Sequence, residues 1–269
     1  MKPDLKTLKD QLTIVFYTSN YLQDKNPYFF DNCVRQLLLA TEDLPIVCVS
    51  HRPINFEPYC KDIGIVGKSV KNIVVDLPRH HLSIYKQILI GAKEAKTPYV
   101  ATAEDDILYS WEHYHHRLPK TMDTYLYDMN RVSIFTWTKP PMFSYRYKRT
   151  VVNQLIAPRQ MLIDNMEERF ARWPSFVKEK GGDEENCLKY FADPGRYEDI
   201  LGITPRKIDT FMSTKSSIVY SHEFAYGFEK NQGKKKRLGD LRIMELQGWP
   251  RPEEMLKMFY KKGNFYDRP

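Results

Sequence analysis

The chain has 269 residues, of which 42% are hydrophobic and 13% aromatic, so it can bury a substantial core and is not a disordered chain. Its formal net charge of +7 favours an acidic partner such as nucleic acid, an anionic membrane surface or a phosphorylated substrate. The N-terminal region has only a brief apolar stretch, so we expect no signal peptide or membrane span there and predict a cytoplasmic protein. The four cysteines form no CxxC pair, which predicts reduced thiols rather than a zinc site.

Strand and helix patterns alternate through the first hundred residues. Runs of β-branched and aromatic residues predict strands, and apolar residues at helical spacing predict helices. In chain order, we predict a strand in 12–20, a helix in 26–41, strands in 44–53 and 71–81, a helix capped by Ser83, and a strand in 99–103. This alternation predicts an α/β fold with a mostly parallel central sheet.

The second half of the chain is less regular. It predicts an aromatic strand, a proline-rich turn, a second strand and a helix in about 159–173. A later strand is predicted to end near His222. Pro252 is predicted to begin a final helix that buries Met255 and Phe259. No linker is long enough to require a domain boundary, so we predict a single domain, with residues 1–110 and 111–269 as its two functional halves.

Three consecutive carboxylates, Glu104, Asp105 and Asp106, follow the strand in 99–103. Because like charges repel, their position at the end of a buried strand predicts a cation nearby. Strand alternation would point Glu104 and Asp106 to one face and Asp105 to the other. Such a pair suits a hard divalent ion that it shares with water and with ligand phosphates. The alternative is a solvent-exposed acidic turn.

The other predicted strands also end in polar residues. In a parallel sheet, ligands bind beyond the carboxyl ends of the strands. These residues are Thr18, Ser19 and Asn20 on the first strand, Ser50, His51 and Arg52 on the second, and Asp76 and Arg79 on the third. The acidic triplet is therefore predicted to lie at the mouth of a ligand site.

A family resemblance is carried by three features: the first strand ending in Thr-Ser-Asn, the segment SIYKQILIGAKEAKTPYV, and the acidic turn AEDDILY. Together they resemble the nucleotide-sugar half of GT-A fold glycosyltransferases over roughly residues 12–110. The resemblance continues more weakly through Trp137 and KIDTFMSTKSSIVYSHEF. It implies a GT-A-like, Rossmann-like fold, a UDP-sugar donor, and Mn²⁺ or Mg²⁺ bound by an Asp-x-Asp-type motif. Here that motif is Glu-Asp-Asp.

The resemblance implies roles for particular residues. Asp106 and His222 would hold the metal, and Glu104 would bind the metal, a metal-bound water or the ribose. The donor-binding residues would be Tyr17, Thr18, Asn20, Asp76, Arg79, Lys86, Glu104 and Asp105. Asp76 would contact the base or ribose, and Arg79 and Lys86 would contact phosphate.

An inverting transferase needs a general base to take the proton of the acceptor hydroxyl. The sequence offers Asp183 in GGDEEN and the pair Glu198 and Asp199 in RYEDILG. Apolar neighbours of the pair would desolvate a carboxylate and raise its pKa, so we predict the pair first. A retaining enzyme would not need this base.

His113, His115 and His116 in WEHYHHRLP have no cysteine or acid at zinc-ligand spacing. We therefore predict an exposed surface helix here rather than a zinc site.

Two acceptors are consistent with the positive net charge of the chain. GKKKR and the alternating cations and tyrosines of FSYRYKR slightly favour a hydroxymethylated pyrimidine in DNA, as modified by similar bacteriophage enzymes, which would place the protein in the host cytoplasm. The alternative acceptor is a surface polysaccharide or lipid-linked glycan. A nucleic-acid-binding α/β protein without catalysis also stays open, as does a nucleotidyltransferase, although no glycine-rich phosphate loop follows the first strand.

Overall fold

The computed structural model describes residues 8–136, 138–145, 150–173, 193–222 and 241–260. Its strands are β1 Leu12–Thr18, β2 Ile46–Ser50, β3 Val70–Val74, β4 Tyr99–Glu104, β5 Ile107–Leu108, β6 Thr124–Asp128, β7 Arg131–Phe135, β8 Phe143–Tyr145, β9 Leu155–Pro158, β10 Lys207–Phe211, β11 Ser217–Ser221 and β12 Leu241–Ile243. Its α-helices are α1 Tyr21–Lys25, α2 Pro27–Thr41, α3 Glu57–Asp62, α4 His81–Glu94, α5 Trp111–His115, α6 Arg159–Arg172 and α7 Pro252–Tyr260.

The central sheet has seven strands in the order β10-β6-β9-β4-β1-β2-β3. The β1–β2, β1–β4, β2–β3 and β6–β10 pairs are parallel, whereas β9 is antiparallel to both of its neighbours. This confirms the predicted α/β fold with a mostly parallel sheet. The strand order reverses between β1 and β4, and such a switch point opens a crevice at the carboxyl ends of the strands.

A second sheet of five strands, in the order β12-β8-β7-β11-β5, lies beside the acidic turn. β5 begins one residue after Asp106 and pairs antiparallel with β11. The backbone N–H of Tyr220 also donates to the carbonyl of Asp106 at 3.0 Å. Because His222 follows β11 directly, this pairing brings the predicted metal ligands together from distant parts of the chain.

Helices cover both faces of β1, which is why all seven of its residues are buried. Ile14 and Phe16 belong to one hydrophobic cluster with α2, and Val15 and Tyr17 belong to a second cluster with α4. Strand alternation explains this division. Strands from both predicted halves of the chain, 1–110 and 111–269, share the seven-stranded sheet.

Gly91 allows α4 to approach β1 closely, because a Cβ atom on this residue would collide with Val15 Cγ1. We expect Gly91→Ala to lower the free energy of unfolding by about 1–3 kcal/mol through overpacking. Helix propensity alone would instead stabilise the variant by about 1 kcal/mol. Urea unfolding therefore separates the two effects by sign, and a stabilised variant would contradict this packing.

Most predicted elements are confirmed with small shifts of their ends, including α6 and the burial of Met255 and Phe259 in α7. The predicted cap of α4 is wrong. His80 caps this helix, since its Nδ1 accepts a hydrogen bond from the backbone N–H of Leu82 at 3.2 Å. Ser83 instead donates its hydroxyl to the carbonyl of Pro78.

The thiols of Cys33, Cys48 and Cys60 are buried and free, and Cys187 lies outside the described residues. Across the described ranges, no helix combines the length and apolar character that crossing a bilayer requires.

Candidate active site

A cavity of about 310 Å³ opens at the switch point between β1 and β4. Its walls come from the ends of β1 and β2, the start of α4, the acidic turn and the residue after β11. The lining residues are Tyr17, Thr18, Ser19, Tyr21, Leu22, His51, Pro78, Arg79, His80, Ser83, Ile84, Gln87, Glu104, Asp105, Asp106 and His222. Seven of the residues predicted to bind the donor or the metal, including Glu104, therefore line the cavity.

All three residues of the acidic turn line this cavity. The predicted alternation, with Asp105 turned away, is wrong because β4 ends at Glu104 and the next two residues form a turn. A turn does not impose the two-residue alternation of a strand. The cavity wall therefore contains three acidic residues, where the alternation predicted that one of them would turn away.

Glu104 has a partner for each carboxylate oxygen. Tyr17 donates its hydroxyl to Oε1 at 2.7 Å, and Asn153 donates its amide to Oε2 at 2.6 Å. Burial, followed by repulsion from Asp106, raises the pKa of Glu104 to about 8. These hydrogen bonds hold Glu104 to β1 and to the short 3₁₀ helix Val152–Gln154 before β9.

Asp105 is also held by β1. Thr18 donates its hydroxyl to Asp105 Oδ2, and the Thr18 hydroxyl oxygen accepts the backbone N–H of Asn20 at 2.9 Å. Burial, followed by repulsion from Asp106, raises the pKa of Asp105 to about 6. Two of the three acids thus have protein donors for at least one oxygen.

Asp106 differs from its neighbours. Its Oδ2 lies 3.6 Å from Nε2 of His222, whose side chain is only 2% exposed. Its Oδ1 is buried and accepts no hydrogen bond from the described residues. A buried carboxylate oxygen without a donor is costly, so Oδ1 is suited to a ligand that brings positive charge.

The divalent cation implied by the resemblance can be tested against these donors. Asp106 and His222 provide a carboxylate and an imidazole beside a cavity, an arrangement that suits an ion completed by water and phosphate oxygens. No group of three or more His, Cys, Asp or Glu side chains suitable for a metal occurs in the part of the chain that the structure describes. The residues therefore fit a cation shared with a ligand, and not a closed structural site.

The cavity wall also carries cationic and aromatic side chains. The guanidinium of Arg79 stacks over the ring of Tyr21, 3.3 Å from its centroid. Nε2 of His51 is buried without a hydrogen bond among the described residues, and burial lowers the pKa of this imidazole. Gln87 donates to the carbonyls of Thr18 at 2.8 Å and Val49 at 3.0 Å, which fixes α4 to the strand ends.

Three predicted donor residues do not line the cavity. Asn20 uses its side chain within the loops, since Nδ2 donates to Gln23 and Oδ1 accepts the backbone N–H of Arg52 at 2.9 Å. Asp76 is exposed. The ammonium of Lys86 lies over the ring of Phe170, 5.2 Å from its centroid, on the face of α4 that contacts α6.

Of the predicted catalytic bases, the two that the structure describes, Glu198 and Asp199, do not line the cavity. Glu198 is 2% exposed and is surrounded by polar partners rather than by the apolar neighbours that the sequence suggested. Its donors are Asn165 Nδ2 at 2.6 Å, Arg169 Nη2 at 3.2 Å, Gly195 N at 2.7 Å and Arg206 N at 2.6 Å. Asp199 is exposed, and Asp183 lies outside the described residues.

The prediction of an exposed histidine helix is wrong. His113 is fully buried, with Nδ1 3.2 Å from Asp128 Oδ2, and His115 is 2% exposed with Nδ1 2.9 Å from the carbonyl of Trp111. His116 stacks on Phe211. A buried acid on β6, distant in sequence, explains why His113 packs inward.

Sequence reasoning missed two residues that organise the site. Asn153 holds Glu104 from a short 3₁₀ helix before β9, and Gln87 fixes the cavity floor from α4. Gln87 is three residues from Ile84 and four from Ser83, which also line the cavity, so helical spacing could have indicated it. No local pattern marks Asn153.

The acidic cluster predicts how stability depends on pH without metal. The raised pKa values of Glu104 and Asp105 mean that the folded state holds more protons than the unfolded state between about pH 4 and 8. Their stabilising contribution is complete below about pH 4 and is lost as the pH rises through about 6 and 8. We expect Asp106→Asn, which removes the repulsion, to be more stable than wild type by about 1 kcal/mol at pH 8 and by less at pH 5.5.

Urea unfolding of wild type and Asp106→Asn in EDTA at the two pH values measures this difference. A stability difference that does not change with pH would contradict the proposed repulsion.

Fold and site together define an α/β protein with a ligand cavity at its switch point and an acidic turn in the cavity wall. Comparisons with protein-family models and with curated proteins give no match.

Among solved structures, a nucleotidyl transferase from Methanothermobacter thermautotroptrophicus is similar at a TM-score of 0.39 and 12% identity, over 77% of this chain and 88% of that one. S. aureus TarS 1-349 in complex with UDP-GlcNAc is similar at 0.40 and 12%, over 79% and 59%. The mannosyltransferase PcManGT from Pyrobaculum calidifontis, in complex with GDP-Man and Mn²⁺, is similar at 0.40 and 10%, over 78% and 56%. The chain thus spans little more than half of the latter two. These TM-scores and identities are low, so the functional interpretation rests on the chain's own residues.

Proposed function

We propose that the protein is a GT-A-like, metal-dependent glycosyltransferase that takes a sugar from a nucleotide sugar, with UDP as the nucleotide, and transfers it to a hydroxyl acceptor. The observation that carries this proposal is the carboxylate of Asp106 in the cavity wall: its buried Oδ1 has no donor among the described residues, and its Oδ2 lies 3.6 Å from Nε2 of His222. A carboxylate in this setting is suited to a cation that accompanies a diphosphate.

The proposed roles follow from the contacts of each residue. Asp106 and His222 would hold Mn²⁺ or Mg²⁺, which when bound stabilises the negative charge of the departing diphosphate. Glu104 and Asp105, fixed by Tyr17 and Thr18, keep the acidic turn in place. Arg79, which also lines the cavity, would offer its guanidinium to phosphate.

The base of an inverting reaction stays a proposal among three carboxylates. Glu198 already accepts four hydrogen bonds in a buried network, and this favours a structural role. We therefore propose Asp183 and Asp199 as the residues to test first, while a retaining mechanism would need neither.

For the acceptor, we propose a hydroxymethylated pyrimidine in DNA ahead of a glycan hydroxyl. This choice rests on sequence alone. The basic segments that favour DNA lie outside the described residues, at Lys234–Arg237 and Arg146–Arg149. DNA would make acceptor binding strongly salt-dependent. An affinity that barely changes between about 50 and 200 mM salt would favour the glycan.

Ligand binding provides a direct test of the donor site. A ligand that binds only the folded state at 100 times its Kd stabilises it by about 2.7 kcal/mol. We therefore expect Mn²⁺ and UDP together to raise the Tm by about 5 °C, and either one alone to raise it less.

Two comparisons make this test specific. Asp106→Asn should remove the joint effect of Mn²⁺ and UDP, whereas Asp62→Asn, which alters a surface pair with Arg35, should keep it. If no combination of Mn²⁺ or Mg²⁺ with UDP, GDP or ADP shifts the Tm, or if Asp106→Asn shifts as wild type does, the proposed site is wrong.

A further inference from the structure

The imidazole of His222 lies against two phenylalanine rings from different helices. Its centroid is 5.4 Å from that of Phe259 in α7, with a tilt of 38°, and 6.4 Å from that of Phe29 in α2, at 69°. The two phenylalanines are fully buried, and their ring centroids lie 4.9 Å apart. Close-packed rings on two sides restrict the orientations open to the imidazole.

The C-terminal end of α7 is fastened to α2 by hydrogen bonds. Asn26 donates its amide to the carbonyl of Phe259 at 2.6 Å, and Asn32 donates to the carbonyl of Met258 at 3.4 Å. The last four carbonyls of a helix have no partner within it, and these side chains donate to two of them. Tyr220 of β11 also donates to the carbonyl of Met255 at 2.8 Å.

Asn26 links both aromatic walls through a single amide. Its Oδ1 accepts the backbone N–H of Phe29 at 3.2 Å and caps α2, while its Nδ2 holds Phe259. The start of α2 and the end of α7 are therefore fixed relative to each other on either side of His222.

We propose that Phe259 is a positioning residue: packed on His222, it holds the imidazole beside Asp106 and so sets the affinity for a divalent cation. This inference rests on the proposed function. The C-terminal helix is then a working part of the site, although it contributes no ligand itself.

The expected effect on Mn²⁺ affinity is large because the proposed metal site has two protein ligands among the described residues, Asp106 and His222. With so few ligands, affinity depends on how well each one is oriented, and loss of a residue that orients a ligand typically weakens metal binding 10–100-fold. We expect Phe259→Leu to weaken the binding of Mn²⁺ in the presence of UDP by about 10-fold. Binding of UDP without metal should change less than about 2-fold.

A double-mutant cycle with His222→Ala tests whether the effect passes through the imidazole. Mn²⁺ affinity is measured by electron paramagnetic resonance, with saturating UDP, for wild type, Phe259→Leu, His222→Ala and the double variant. If Phe259 acts by orienting His222, its substitution should weaken binding by less than about 2-fold once His222 is absent. An equal loss in both backgrounds would overturn the inference.

Control variants separate positioning from general destabilisation. Phe30→Leu removes an equally buried ring from α2 and should leave Mn²⁺ affinity unchanged. Phe259→Met keeps most of the volume, and it serves if Phe259→Leu does not fold; it should still weaken Mn²⁺ binding. If wild type binds Mn²⁺ with UDP but both Phe259 variants bind it equally well, the inference alone fails; if wild type binds neither, the proposed function fails with it.

Discussion

Asp106→Asn is expected to lower kcat/KM for nucleotide release from the donor by about 10²–10³-fold. Loss of a group that stabilises charge in the transition state has an effect of this size. Asparagine is nearly isosteric, but it removes the negative charge that would hold a cation beside His222. The folded protein should keep its structure and, at pH 8, gain stability, so the loss would not result from unfolding.

The measurement is steady-state release of nucleotide with Mn²⁺ at saturating and limiting concentrations. Asp62→Asn, an exposed aspartate in a surface ion pair, is the matched control and should retain full activity. If Asp106→Asn retained activity within about 3-fold, Asp106 would not be the carboxylate that serves the reaction.

Glu198→Gln is expected to destabilise the protein by about 3–5 kcal/mol, because it removes the negative charge that faces the buried guanidinium of Arg169. Arg169 is fully buried, and its Nη2 lies 3.2 Å from Glu198 Oε1. A glutamine amide would also turn donors towards backbone N–H groups of Gly195 or Arg206 that now donate to the carboxylate.

Urea unfolding checks this, and Asp199→Asn at the exposed neighbouring position should change stability by less than about 0.5 kcal/mol. The same pair of variants decides between structure and catalysis. A Glu198→Gln variant with near-normal stability and lost turnover would contradict the structural role and restore the carboxylate as a candidate base.

The sequence was sufficient for features that depend on local pattern. β1 has a run of β-branched and aromatic residues because helices cover both of its faces, and the acidic turn follows β4 at the switch point of the sheet. The sequence also predicted that His222 lies at the end of a strand. These signals and the family resemblance predicted the α/β fold and seven of the sixteen residues that line the cavity.

The rest depends on contacts between distant residues, which a local pattern does not encode. Glu104 is held by Asn153, 49 positions away, and His113 is buried because Asp128 meets it from β6. Glu198 looked like a carboxylate among apolar residues, yet Arg169 of α6 and two backbone N–H groups surround it. In each case, the partner decides the role of the side chain.

Release of nucleotide from a panel of nucleotide sugars, with and without Mn²⁺, tests the central claim most directly. We expect the wild-type protein to release a nucleoside diphosphate from one donor, with UDP-sugars as the expected class, only when a divalent cation is present. Release of pyrophosphate from a nucleoside triphosphate would indicate nucleotidyl transfer instead. Absence of turnover with every donor, together with no binding of Mn²⁺ or nucleotide, would contradict the account and leave the cavity at the acidic turn without the proposed role.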